Sequence, residues 1–278
     1  MSTTTQTHTL EYVLDVLPHL RLTNQKGDIR VYHDAEPGVV KVRLHSHRPV
    51  SFEDVEVGSD GTTVTVNIPQ LSEADSGSSL SFRIAGLSLF AGFRGATVDV
   101  EAHVPPSAEI VLETGYGDIV VSGTSGDAAA KTGAGDVSIP EAAHVVLHSG
   151  AGNVSVGRIG GGTLRTGAGD IGIERASGDT ELNSGSGDVT ILAAVGTLRI
   201  HTGAGDVNAS VSEGTIEVRS GMGDIIVRVP TGYAVWQDLT TGMGDVRSRI
   251  ATHGEPEPGE PFLSVTARSG AGDVTLTN

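Results

Sequence analysis

The sequence predicts an all-β protein whose larger part is a parallel β-solenoid, and three observations carry that prediction. A six-residue phrase (Ser or Thr, Gly, any residue, Gly, Asp or Asn, Val or Ile) recurs nine times between residues 114 and 274, at steps of 18, 17, 17, 18, 18, 18, 21 and 28 residues. Apolar and polar residues alternate on both sides of the phrase, the period of a strand with one buried face. The composition suits a thin core: 39 of 278 residues are Gly, 37% are hydrophobic, and only 4% are aromatic. A fixed period of this length marks a chain that stacks one short unit on the next, because no unit can bury its apolar row alone.

The phrase is the first corner of each coil. Its copies are TGYGDI (114–119), TGAGDV (132–137), SGAGNV (149–154), TGAGDI (166–171), SGSGDV (184–189), TGAGDV (202–207), SGMGDI (220–225), TGMGDV (241–246) and SGAGDV (269–274). A second corner follows eight residues after the acidic position, at Gly126, Gly161, Gly178, Gly196, Gly214 and Gly232. His144 breaks that series, and Pro140 supplies an earlier turn there. Strands lie between the corners, with pairs such as Val137 and Ile139 after the phrase and Leu198 and Ile200 before it. The expected architecture is about eight to nine coils of 17–18 residues, stacked ~4.8 Å apart. A hexapeptide helix is excluded, since steps of six from Val189 reach His201, Glu213 and Arg219 at positions that must be aliphatic. No segment holds a 3.6-residue period, so no helix is expected.

Residues 1–108 carry only one degenerate copy, KGDIRV (26–31), and read as a capping β section; residues 109–278 read as the solenoid, with an inserted loop at 252–261 that includes HGEPEPGEP. A cap is required because a bare end coil exposes apolar side chains and unpaired backbone. The last strand, Val274–Leu276, runs nearly to residue 278 and is expected to leave its end of the stack uncovered.

The bulk properties exclude several functions. A net charge of −16 repels nucleic acid and anionic lipid, and the lack of cysteine removes thiol chemistry and disulfides. No apolar run reaches the ~18 residues of a membrane helix. The N-terminal MSTTTQTHTLEYVLDVL has neither the basic nor the apolar region of a signal peptide, which gives a cytoplasmic location as the expectation, with unconventional export compatible.

The phrase, the N-terminal strand section and the PEPGEP loop together resemble the bacterial "putative adhesin" β-strand-repeat family, from about residue 8 to 278. The resemblance implies a β-solenoid, sometimes attached to envelope-stress proteins, and it implies no catalytic residues.

The repeated positions are the candidate site. The acidic row comprises Asp118, Asp136, Asn153, Asp170, Asp188, Asp206, Asp224, Asp245 and Asp273. Stacked carboxylates at ~4.8 Å repel by roughly 1 kcal/mol in water, so a bonding role must offset that cost. The expected role is local: each oxygen accepts backbone N–H groups within its glycine turn. Calcium is the sharper alternative, but it needs six to eight oxygens, and alternate nonapeptides lack the motif. The Ser/Thr row is expected to point inward, its hydroxyls on backbone carbonyls at the corner. A nucleophile is excluded because the copies are alike and no His–Asp pair accompanies one of them. The row before the phrase, running from Glu113 through Lys131 to Arg268, is read as neutralising the carboxylates at long range. His45 and His47 share a strand face without an evident third ligand. The apolar, Gly-rich run 85–95 holds Leu87, Leu89, Phe90 and Phe93 and either plugs the end of the core or contacts a partner.

Together these features predict a non-enzymatic scaffold or protein-interaction module with no cofactor or metal. Its partner is another protein or a second copy, joined end to end through the last strand. The alternatives are a carbohydrate-binding or carbohydrate-active β-helix, which needs two convergent carboxylates off the repeat, and an envelope-stress regulatory domain.

Overall fold

The computed structural model describes residues 6–14, 17–71, 83–84, 87–88, 96–250 and 262–278, and among these there is no helix. The N-terminal strands are β1 (Gln6–Val13), β2 (His19–Lys26), β3 (Ile29–Tyr32), β4 (Val39–Ser46), β5 (Glu56–Ser59), β6 (Thr63–Ile68), the short pair β7 (Arg83–Ile84) and β8 (Leu87–Ser88), and β9 (Val98–His103). Then follow β10 (Ile110–Tyr116), β11 (Ile119–Ser122), β12 (Thr124–Ala134), β13 (Val137–Ala151), β14 (Val154–Ile159), β15 (Gly162–Ala168), β16 (Ile171–Ala176), β17 (Thr180–Ser186) and β18 (Val189–Ala204). The last are β19 (Val207–Met222), β20 (Ile225–Arg228), β21 (Ala234–Met243), β22 (Val246–Ser248), β23 (Phe262–Ala271) and β24 (Val274–Thr277).

Two parallel ladders carry the stack, one on each side of the phrase. Strands before it pair in the order β2, β10, β12, β13, β15, β17, β18, β19, β23, β21. Strands after it pair as β3, β11, β13, β14, β16, β18, β19, β20, β24, β22. Three long strands, β13, β18 and β19, belong to both ladders because they run from one phrase through the opposite corner to the next. The register superposes phrase on phrase: Thr132 lies beside Ser149, Ser149 beside Thr166, and Thr202 beside Ser220.

That register builds the core as columns. Ile29, Ile119, Val137, Val154, Ile171, Val189, Val207, Ile225 and Val274 follow one another up the stack, each at most 1% exposed. Full burial of such a side chain contributes about 1.5–3 kcal/mol, and each column repeats that gain at every step.

Residues 1–108, expected as a cap, contain the first coil-like pair as well, because β2 and β3 run parallel to β10 and β11. The closing function falls to antiparallel strands. On one ladder β9 follows β3, β4 then reverses and β1 turns back to the ladder's direction; on the other, β6 follows β2 and β5 reverses.

The other end corrects the expected order. The C-terminal strand does not end the stack: β24 pairs with β20 on one side and β22 on the other, while β23 lies between β19 and β21. The last coil in sequence therefore lies one place inside, and Ala234–Ser248 forms the terminal layer. Side chains explain the exchange. The inward positions of β23 and β24 are Leu263, Val265, Ala267, Val274 and Leu276, all 0% exposed. Their neighbours in the outer layer are Val235, Gln237, Leu239, Val246 and Ser248. The layer with two polar inward residues takes the wet position, and the fully apolar layer takes the dry one.

Candidate functional site

The repeated corner is built from three kinds of residue, each fixed by the coil beneath it. Both glycines are compulsory for steric reasons, as one copy shows. Gly203 has ordinary φ, but a Cβ there would lie 2.6 Å from the carbonyl oxygen of Gly185 in the neighbouring coil. Gly205 has φ +143°, and a Cβ would lie 2.1 Å from the oxygen of Gly187. The backbones approach too closely for any side chain, which is why the phrase keeps Gly-x-Gly in every copy.

The hydroxyl row points inward and donates across coils to the second glycine's carbonyl. Thr132 donates to Gly117 at 2.9 Å, Ser149 to Gly135 at 2.9 Å, Thr166 to Gly152 at 2.9 Å and Ser269 to Gly223 at 2.9 Å. Thr114, Ser184, Thr202, Ser220 and Thr241 make the same bond, to Gly27, Gly169, Gly187, Gly205 and Gly272. Asn24 occupies this place in β2, and its amide donates to the oxygen of Val98 at 2.8 Å.

The acidic row differs from the expected local turn. Apart from Asp245 at the end of the row, each side-chain Oδ1 accepts the backbone N–H of the acidic residue in the next coil. The chain of bonds runs from Asp118 to Asp136 (2.9 Å), then to Asn153 (2.7 Å), Asp170 (2.8 Å), Asp188 (2.8 Å), Asp206 (2.8 Å), Asp224 (2.8 Å), Asp273 (2.7 Å) and Asp245 (2.9 Å). It extends below the repeat: Asp28 accepts from Asp118, and Asp99 accepts from Asp28. A charged acceptor on an N–H contributes about 1.5–3 kcal/mol, against roughly 1 kcal/mol of repulsion between neighbours, so the bond wins. The degenerate KGDIRV signalled Asp28. Asp99, in a strand with no glycine, carried no signal.

Two cations touch this row directly among the described residues. Arg30 binds Asp28 at 2.8 Å, and Arg247 bridges Asp245 (2.6 Å) and Asp273 (2.5 Å). The Asp245 amide, with Arg247 second, holds the Asp273 carboxyl below its ordinary range. The basic row before the phrase pairs elsewhere: Arg165 binds Glu181, Arg219 binds Glu217, and Arg268 binds Asp238. These three cations make their close contacts with acids outside the ladder.

Off the repeat, a charged cluster braces the antiparallel cap. His103 lies 2.7 Å from Asp34 and 2.8 Å from Glu101 and stacks on Tyr32, while Arg43 reaches Glu101 at 2.8 Å. Burial opposes charge on His103, but its bonds to Glu101 and Asp34 outweigh it and raise its pKa. The His103 bond, ahead of Arg43, lowers that of Glu101. His45 lies 3.8 Å from Glu101 and His47 3.9 Å from Asp99. An open groove of about 480 Å³ crosses the outer face over His19, Arg21, Glu109, Asp127 and His144, where His19 is already paired with Glu109 at 2.7 Å. Among the described residues, no three His, Asp or Glu side chains have the geometry to hold a metal ion. Of the four predicted partner-contact residues, Leu87 lies in β8, which pairs with β7; Leu89, Phe90 and Phe93 fall outside the described residues, as does the loop 252–261.

Solved structures to which the chain is similar include a "putative adhesin" from Bacteroides fragilis (12% identity, 98% of this chain and 97% of that one, TM-score 0.40). Another "putative adhesin", from Parabacteroides merdae, matches at 11% identity over 96% of both chains with TM-score 0.43. A "putative lipid binding protein" from Parabacteroides distasonis matches at 12% identity over 97% of this chain and 96% of that one, with TM-score 0.45. None of the three is described as an enzyme. No curated protein matches the chain. The family model described as Toastrack DUF4097 matches residues 17–278. A β-solenoid-like chain with this corner, matched over nearly its whole length, belongs to the Toastrack DUF4097 family.

Proposed function

We propose that this chain is a non-enzymatic β-solenoid scaffold of about eight to nine coils, one per phrase, that presents surfaces to a protein partner. The observation that carries this reading is the use of the repeated polar groups. The hydroxyls of the Ser/Thr row and the Oδ1 atoms of the acidic row are spent on bonds from one coil to the next, which leaves them as structure rather than chemistry. The charged clusters off the repeat are ion pairs on open surface, and a glycosidase would need two convergent acids held apart for a reacting sugar.

The apolar run with Leu87, Leu89, Phe90 and Phe93 is the proposed partner contact, because it breaks the repeat with large side chains in a chain that has few. The test is affinity capture from the native host, followed by crosslink mapping. A partner crosslinked within residues 85–95 and lost in the Phe90→Ser/Phe93→Ser variant supports the reading. Turnover of a glycan by the purified chain, or capture unchanged by the double substitution, contradicts it.

A further inference from the structure

The two ends of the stack differ in strand direction: at the β1 and β5 end the outer pairings are antiparallel, whereas at the far end the ladders stay parallel to the last layer. At the far end, β21 pairs only with β23 and β22 only with β24 among the described residues, so each keeps one edge of backbone donors and acceptors unpaired. The core column ends there as well. Val246 is 46% exposed, whereas Val274 beneath it is 0% exposed and no residue further down that column exceeds 1%. The hydrogen-bond ladder ends there too: no further Asp amide stands above the Asp245 side chain, and Arg247 binds the carboxylate from its own layer.

From these features we infer that the β21–β22 edge docks a second copy of this chain, tail to tail, by continuing both sheets across a twofold axis. The inference rests on the interaction-module reading and names the partner at one face of it. A head-to-tail contact cannot continue both sheets in parallel, because at the other end β5 runs against its ladder while β1 runs with its own. An isologous contact requires β21 to meet the partner's β21 in antiparallel fashion, and a bare edge accepts that pairing as readily as a parallel one.

Charge favours a second copy at this face. The chain as a whole carries −16, so most of its surface repels a copy of itself. The terminal stretch 234–250 holds Asp238, Asp245, Arg247 and Arg249, two of each sign and no net charge. Antiparallel pairing centred near Asp238 also parts the two acidic rows. Each Asp245 then lies about 20 Å from the axis at ~3.4 Å per residue, so the two ladders end roughly 40 Å apart, well beyond the screening length at physiological salt. The half-buried inward side chains of Val235 and Leu239 and the exposed Val246 would meet their copies in the shared core, and Gln237 and Ser248 supply polar groups at the seam.

The test uses the full chain in sedimentation equilibrium over a wide concentration range, with amide exchange read by mass spectrometry. The expected result is a monomer–dimer equilibrium in which β21 and β22 amides are protected in the dimer and exchange faster on dilution. Val246→Lys and Gln237→Lys each place an inward charge on this edge at solvent-accessible positions, the device that natural edges use against pairing. Both variants are expected to weaken dimerisation at least tenfold while keeping the wild-type melting temperature. A chain that stays monomeric at all concentrations overturns the inference, and protection of β21 in that monomer would assign the edge to another segment of the same chain. A dimer that persists in both variants also overturns it. Either result leaves the capture experiment above standing or falling on its own.

Discussion

The ladder makes a quantitative prediction at Asp188, in mid-stack. Asp188 Oδ1 accepts the Asp206 N–H at 2.8 Å, and its own N–H donates to Asp170 at 2.8 Å. Asp188→Asn keeps an acceptor oxygen and removes one charge. Two neighbours at ~4.8 Å each repel Asp188 by about 0.9 kcal/mol in water, so the substitution relieves roughly 1.7 kcal/mol. It also exchanges an ionised acceptor worth about 1.5–3 kcal/mol for a neutral one worth about 0.5–1.5 kcal/mol. These nearly cancel, and Asp188→Asn is expected to fall within ~1 kcal/mol of wild type. Asn153 makes the same bond to Asp170 in the native chain. Asp188→Ala removes the same charge but leaves the Asp206 amide without its acceptor, so it should be less stable than the Asn variant by about 1–2 kcal/mol. The assay is urea unfolding at low and high salt, combined with amide exchange because repeat proteins can unfold in parts. Salt should stabilise wild type more than Asp188→Asn, since screening acts on the repulsion. If the Asn and Ala variants are equally destabilised, the carboxylate charge itself is needed and the ladder account of this row is wrong.

Two further predictions follow from the corner and the cap. Gly205→Ala forces φ +143° on an L-residue and drives Cβ to 2.1 Å from the Gly187 oxygen, so it should cost more than ~3 kcal/mol and open the neighbouring coils; Gly172→Ala, where a Cβ meets nothing within 4 Å, should be neutral or stabilising by about 0.5–1 kcal/mol. Parallel denaturant melts of the two variants check the contrast. The His103 cluster should make cap stability depend on pH: a raised folded pKa gives His103 a contribution present below its ordinary 6.5 and lost as pH rises through the folded value. The lowered pKa of Glu101 gives a contribution present above its ordinary 4.5 and lost as pH falls through its folded value. Protection of β4 and β9 amides should therefore be greatest between these limits and fall on both sides, and His103→Gln should flatten the alkaline limb.

How far the sequence speaks depends on whether a feature is local. The Gly-x-Gly corner, the inward hydroxyl and the buried column are legible because each recurs at a fixed place in every copy, and stacking turns recurrence into contact. The direction of the Asp bond is not legible: a local turn and a bond to the next coil use the same residue at the same spacing, and only the register separates them. Asp99 escaped for a related reason, since it joins the ladder from β9 without any glycine around it. The exchange of the last two layers was hidden because chain order and stacking order agree everywhere else in the repeat. The steps of 21 and 28 residues depart from the 17–18 period, and only the register places Gln237 and Ser248 at inward positions of the layer that faces water.

The central claim is that the acidic row holds coil to coil through its side-chain oxygens. The direct measurement is a scalar coupling across the hydrogen bond, from the backbone nitrogen of each acidic residue to the side-chain carboxyl or amide carbon of the residue one coil below, in a deuterated, isotope-labelled sample. Resolved couplings are expected from Asp206 to Asp188, from Asp188 to Asp170 and from Asp170 to Asn153, unchanged by calcium. Missing couplings at those interior positions, or carboxyl signals that move when calcium is added, would contradict it.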